Sequence, residues 1–261
     1  MTGQLWAQGD VYQRFMGRWS NLVADEFVAW VGVDAGARWL DVGCGAGALG
    51  SRILAGARPE KLVGVDASAP FLEEARRRLG DDAEFHVGDA ADLPFEDDTF
   101  DVAVSGLVLN FLPDPAAAVR EHARVSRGTV AAYVWDYTDG MEMLRFFWEE
   151  ARALDPEAAA LDESARFRLV GENGLRGAFT EAGLERLESR AIDIPMVFAD
   201  FDDYWTPFLG GQGPAGSYAV GLDDGRREAF RERLRERLPV ADDGSVELKG
   251  RAWAVKASSA A

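Results

Sequence analysis

Cysteine is almost absent from this 261-residue chain: Cys44 stands alone. One thiol closes no internal disulfide, and with only two histidines, His86 and His122, no His/Cys spacing suggests a zinc site. Positive charge is also in deficit. Against 45 Asp and Glu there are 28 Lys and Arg, a formal net charge of -17. That balance repels phosphate backbones and anionic bilayers, so neither nucleic acid nor membrane is an expected partner. Long apolar runs are missing as well: the longest, VAVSGLVLNFL, is too short to span a bilayer. The opening MTGQLWAQGDVYQRFMGRWS lacks a basic start followed by an apolar core, which leaves the cytoplasm as the expected location.

What is present is enough hydrophobic matter for a sizeable core, 48% of the letters, with 11% aromatic. From Val11 to Trp30 apolar letters recur at helical spacing, predicting an amphipathic helix. Next come RWLDVG, KLVGVDA and AEFHVGDA as strands, with ALGSRILAG and PFLEEARRRLG as helices between them. FDVAVSGLVL, DPAAAVREHARVS and GTVAAYVWDY continue the alternation as strand, helix, strand. Nearly continuous apolar strands separated by helices require a parallel sheet covered on both faces, a doubly wound α/β unit. Farther on, MEMLRFFWEEARAL and NGLRGAFTEAGL read as helices and LESRAIDIP as a strand. Regularity then stops in the aromatic, glycine-rich MVFADFDDYWTPFLGGQGPAGS. REAFRERLRERL follows as a charged, solvated helix, and VELKGRAWAVKA closes as an alternating strand.

The stretch LDVGCGAGALG carries the functional signal. Glycines 43, 45, 47 and 50 follow a strand and open a helix, where the missing Cβ atoms let backbone approach a ligand. Gly45, Gly47 and Gly50 fit G-x-G-x-x-G, a pattern also found at nicotinamide dinucleotide sites. Asp66, about twenty residues on at the end of the second strand, is placed to accept hydrogen bonds from ribose hydroxyls. Two more carboxylates favour a ligand without phosphates. Asp41, just before the loop, suits an ammonium, and Asp89, after the third strand, can accept from an exocyclic amine such as that of adenine. Three carboxylates around one crevice suit a cationic ligand. For Asp92 and Asp98 a capping role suffices. Cys44 sits between loop glycines, where a small side chain suits the turn.

With LDVGCGAGAL, VGVDAS, VGDAADLPFEDDTFDVAVSGLVLNFLPDP and GTVAAYVWDY in that order, the chain resembles the class I S-adenosylmethionine-dependent methyltransferases, in their ubiquinone/menaquinone-biosynthesis-like (type 11) branch. The resemblance covers residues 12–137. It implies one domain over 1–261: an α/β, doubly wound, seven-stranded, mostly parallel Rossmann-like sheet with its last strand antiparallel. The cofactor core would span about 36–137, with helical and aromatic cap insertions at about 1–30, 138–170 and 196–244. S-adenosylmethionine is the implied cofactor. Gly43, Gly45 and Gly47, with Cys44 between them, would approach its methionine portion; Asp66, beside Ala67, would hold the ribose; Asp89 with Ala90 would face the adenine. Ser105 and Tyr12 match positions that touch the methionine end. One departure is that RVSRGTVAA keeps only Gly128 where the family has Pro-Gly-Gly, which leaves the start of the fifth strand open.

The implied activity is methyl transfer to a small-molecule acceptor by in-line displacement, where positioning supplies much of the catalysis. No general base is evident; His86 and His122 read as packing or surface residues, and no catalytic or metal-binding residue is assigned. Trp135, Asp136, Tyr137, Tyr204 and Trp205 are the expected acceptor contacts, within an aromatic lid that also holds Phe147, Trp148 and Phe208. Two other readings remain open. One is an NAD(P)-dependent oxidoreductase, which lacks support from any Tyr-x-x-x-Lys pair; the other is a protein that binds S-adenosylmethionine without catalysis. The acceptor's identity and the oligomeric state are not legible in the sequence.

Overall fold

A computed structural model describes residues 16–167, 169 and 171–258. Tyr12 and the first turns of the predicted N-terminal helix lie outside them. The chain divides into two compact units. One comprises 1–19, 136–168 and 193–251, and the other 20–135, 169–192 and 252–261.

The second of these units carries the predicted alternation. Helix α1 (Arg18–Val31) is followed by β1 (Arg38–Val42), α2 (Ala48–Ala57), β2 (Lys61–Asp66), α3 (Ala69–Leu79), β3 (Glu84–Val87) and β4 (Phe100–Gly106), then by α4 (Pro115–Val125) and β5 (Ser126–Trp135). Helix starts follow the local chemistry. Pro70 stands in the first turn of α3, and Asp114 caps α4 by accepting from the Ala117 amide at 2.8 Å. After α5 (Glu142–Leu154), α6 (Glu163–Arg166) and α7 (Gly171–Glu181) come β6 (Glu188–Phe198), α8 (Phe201–Trp205), α9 (Gly213–Gly221), α10 (Asp224–Arg237) and β7 (Val246–Ser258). The sheet order is β3-β2-β1-β4-β5-β7-β6. Strands β1 to β5 are parallel, and β7 runs antiparallel to β5, as expected for this fold.

Both sheet faces are covered. On one, Val130, Val134 and Val255 pack with Val119 of α4 and Phe179 of α7. Leu40, Val42, Val63 and Val65 close a neighbouring cluster with Phe100 and Leu93. Elsewhere Phe27 of α1 meets the Tyr133 ring at 4.6 Å. The open question at the fifth strand resolves simply: β5 begins at Ser126, two residues before Gly128. Ser126 pairs with Phe100 and Thr129 with Val102, so a bulge absorbs the extra residue.

The other unit departs from its sequence reading. The stretch beginning MVF is not irregular from its start. Strand β6 continues to Phe198, with Ile192, Ile194, Met196 and Phe198 buried at a period of two. Two helices, α8 and α9, follow it. The core here is aromatic: the Phe147 ring lies within 6.0 Å of Trp148, Phe208, Tyr218 and Phe230. Helix α10 buries Phe230 and Leu234, while Arg231 pairs with Asp202, Glu228 and Glu232, the solvated face its pattern predicts.

Candidate functional site

In an open α/β sheet, ligands bind beyond the carboxyl ends of the strands where the strand order reverses. Here the reversal lies between β1 and β4, which are neighbours in the sheet while β2 and β5 lie outward of them. Asp41, Asp66 and Ser105 sit at or near the ends of β1, β2 and β4, and Asp89 follows β3.

The loop between β1 and α2 is anchored from beneath. The amides of Gly43 and Cys44 both donate to the Val65 carbonyl, at 2.7 and 3.0 Å. Gly43 is pressed so closely against Val108 that an added Cβ would stand 2.5 Å from a valine methyl. Gly45, two residues on, faces nothing: its φ is +52° and a Cβ there would find no atom within 4 Å. Its amide donates to Asp66 Oδ2 at 2.9 Å, while Asp66 Oδ1 accepts from Ser68 at 2.8 Å. Two neutral donors leave a carboxylate with further acceptor capacity, so Asp66 holds the loop and can still receive hydroxyls. Gly47 caps α2 in the left-handed conformation. Ala67 is exposed, and Cys44 is buried, its thiol pushed upward in pKa by burial and then by the charges of Asp41 and Asp66.

Asp41 is buried to 1% exposure, and neither carboxylate oxygen has a hydrogen-bond partner among the described residues. Burial first, and the charge of Asp66 second, push its pKa to about 7; the Gly50 amide faces it and pulls weakly the other way. Ser105 Oγ is likewise buried without a partner, as is Asn110 Oδ1. Asn110 is not marked by the sequence pattern, where it is one polar letter inside an apolar run. The backbone before it is unusual: Leu107 adopts φ +62°, a conformation costly for a branched side chain and common at functional sites. Asp89 is exposed, and its Oδ1 accepts from Ala91 at 2.9 Å; Ala90 is half-buried against the core.

Because Asp41 binds a proton more readily folded than unfolded, the sign of its linkage is fixed: stability is greatest below about pH 4 with respect to this group, falls as pH rises, and levels above about pH 7. Asp41→Asn is expected to flatten that slope, read as the urea midpoint at pH 5 and pH 8. Glu163, discussed below, contributes in the same direction.

The two histidines are placed as expected of packing and surface residues. His122 is buried in α4 with Nδ1 at 2.5 Å from the Ala118 carbonyl, and burial lowers its pKa to about 4. His86 is exposed, edge-on to Phe95. Among the described residues, no group of three or more His, Cys, Asp or Glu is arranged to hold a metal ion, and no helix is long and apolar enough to cross a membrane.

The expected acceptor contacts fall into different settings. Trp135 is buried at the end of β5, its indole N–H without a partner among the described residues. Asp136 is buried and accepts from both the amide and the hydroxyl of Thr138. Tyr204 is fully buried and donates its hydroxyl to the Met143 carbonyl at 2.9 Å; Trp205 packs on Phe208 and Phe230. Tyr137 is half-buried, 4.9 Å from the Phe167 ring, and lines a cleft.

Residues 40–133 match the methyltransferase domain family. The chain carries a methyltransferase domain. That match, together with the fold, supports a class I methyltransferase domain over those residues, with S-adenosylmethionine as the cofactor such a domain takes. The demethylmenaquinone methyltransferase of Roseiflexus sp. (strain RS-1) is 36% identical over 143 residues, which are 49% of this chain and 60% of that protein. A 37.1 kDa protein of a Streptomyces fradiae transposon is 40% identical over 91 residues, 34% of this chain and 26% of that one. The chain thus spans less than two thirds of these curated relatives. Among solved structures, the protein in complex with the Haloferax volcanii Trm112 methyltransferase activator superposes with a TM-score of 0.57 at 25% identity, covering 97% of this chain and 96% of that one. The YcgJ protein of Bacillus subtilis has the same fold, with a TM-score of 0.59 at 20% identity over 90% and 97% of the two chains. The domain's residues fit its cofactor. An open glycine cradle, a carboxylate with spare acceptor sites and the buried oxygens of Asp41 and Ser105 are what a ligand bearing an ammonium and ribose hydroxyls would use.

Proposed function

We propose that the chain transfers the methyl group of S-adenosylmethionine to a small-molecule acceptor. The observation that carries this reading is the pairing of the Gly45 cradle with the unspent, buried oxygens of Asp41 at the switch point of the sheet. The cofactor supplies a methyl group already activated on a sulfonium. The chain's own work is to hold and align. Gly43, Cys44, Gly45 and Gly47 shape the cradle, Asp41 and Ser105 receive polar hydrogens deep in the site, and Asp66, beside Ala67, takes the ribose hydroxyls. Asp89 and Ala90 frame the adenine side. Alignment of this kind is worth several orders of magnitude without any covalent role for the protein.

For the acceptor side the proposal narrows to Trp135 and Tyr137. The polar groups of Asp136 and Tyr204 are engaged within their own unit, and Trp205 is a packing residue. An aromatic or apolar acceptor is supported by the curated relatives, one of which is named for demethylmenaquinone.

The test is calorimetric titration with S-adenosylmethionine, S-adenosylhomocysteine and NADH, followed by a radiolabelled-methyl screen of acceptors. Binding of the first two without NADH is expected, and binding of NADH alone would replace the reading with a dinucleotide enzyme. Gly45→Ala is expected to weaken S-adenosylmethionine by at least about tenfold, because the methyl fills the cradle at a positive φ. Unchanged affinity in that variant would move the cofactor away from the loop.

A further inference from the structure

The unit that includes 136–168 and 193–251 holds a cleft of about 220 Å³. Its walls include Tyr137, Met141, Leu144 and Trp148, and its charged groups are Asp139, Arg145, Glu149, Arg152, Asp162 and Glu163. Both arginines are already engaged. Arg152 reaches Asp162 at 2.7 Å, and Arg145 is held between Glu149 at 2.9 Å and Glu142 at 3.3 Å. Glu149 is shared further with Arg237 at 3.3 Å.

Glu163 differs from every other carboxylate there. It is only 5% exposed, and its hydrogen bonds come from neutral donors, the Trp148 indole N–H and the Ala215 amide at 3.4 Å. A buried carboxylate whose charge no cation offsets is costly, and a cation entering the cleft would offset it. Trp148, Met141 and Leu144 are buried beneath the cleft, and the half-buried ring of Tyr137 gives a hydrocarbon body somewhere to pack and a cation a favourable π surface. An anion would have to displace carboxylates from both arginines; a neutral ligand would leave Glu163 as it is.

We propose that this cleft is a binding site for a small organic amine, whose ammonium pairs with Glu163 while its hydrocarbon part lies against Tyr137. The binding does not depend on S-adenosylmethionine and is measured without it.

The site has a built-in pH signature. Burial, reinforced by the charge of Asp162, raises the Glu163 carboxyl to about 7, opposed by the Trp148, own-backbone and Ala215 N–H groups. Also facing the cleft are Arg145, Glu149 and Arg152 from α5, and Asp139 from the turn after β5. A bound ammonium lowers the Glu163 pKa, so binding releases a proton below pH 7, and affinity rises with pH to about 7 and then levels.

The experiment is calorimetry on the full chain with phenethylamine, 2-phenylethanol and 3-phenylpropionate at pH 8 and pH 5.5. At pH 8 phenethylamine is expected to bind at least about tenfold more tightly than the alcohol, as charge-assisted pairing requires. Its affinity is expected to fall more than about tenfold at pH 5.5, while that of the alcohol stays level. Glu163→Gln is expected to erase both differences. If that variant does not fold, the pH comparison on the native chain decides alone. Equal binding of amine and alcohol at pH 8, no binding of the amine at millimolar concentration, or preference for the carboxylate would each overturn the proposal. S-adenosylmethionine titrated in parallel keeps a failure here distinct from a failure of the methyltransferase reading.

Discussion

Asp66→Ala is expected to weaken S-adenosylmethionine by about a hundredfold or more. Two hydroxyl hydrogen bonds to a carboxylate are worth about 3 kcal/mol together at the low end of the charged range, and that is about a hundredfold in affinity. A second loss adds to it, because Asp66 also holds Gly45 at 2.9 Å and Ser68 at 2.8 Å, so the alanine leaves two amides unpaired and releases the cradle. Asp66→Asn separates the contributions. The amide oxygen can keep one backbone donor but lacks the charge, so its affinity should lie between wild type and alanine. Urea unfolding of the ligand-free variants provides the control: a stability loss without an affinity loss would make Asp66 a loop anchor and nothing more.

The Asp66 anchor shows how two local patterns of the sequence come together in the fold. A strand ending in glycines, followed some twenty residues later by an acid at the end of the next strand, is a local pattern on each side. The Gly45-to-Asp66 hydrogen bond is what joins them. The parallel core reads equally well because β1, β2, β4 and β5 are buried on both faces and their letters are almost wholly apolar. What could not be read was anything decided by distant partners. Asp41 and Asp66 look alike as letters, yet one is buried without a hydrogen-bond partner among the described residues while the other receives two amides. Glu163 sits in LDESARF, a polar stretch with no periodic signal, and as a buried acid it receives the Trp148 indole N–H from α5 and the Ala215 amide. The continuation of β6 was missed for a related reason. Pro195 interrupts its pattern, and only the inward row of Ile194, Met196 and Phe198 shows that the strand goes on, with the proline on its exposed face.

The same distinction separates lid from core among the aromatics, and Phe147→Ala is the sharpest test of it. A lid residue stands partly in solvent and can be truncated at little cost to folding. Phe147 is fully buried, stacked on Phe208 at 4.6 Å and edge-on to Phe230 at 4.8 Å, with Trp148 and Tyr218 completing its surroundings. Removing a ring from such a site forfeits its transfer energy and leaves a cavity that four rigid aromatic neighbours cannot readily fill. The expected loss is about 3–5 kcal/mol, seen as a lowered urea midpoint with an unchanged slope. Phe147→Leu, which returns most of the volume, should recover more than half of it. An alanine variant losing less than about 1 kcal/mol would mean that the site collapses freely, and the aromatic cluster would then have to be regarded as a mobile cover and not as the core of its unit.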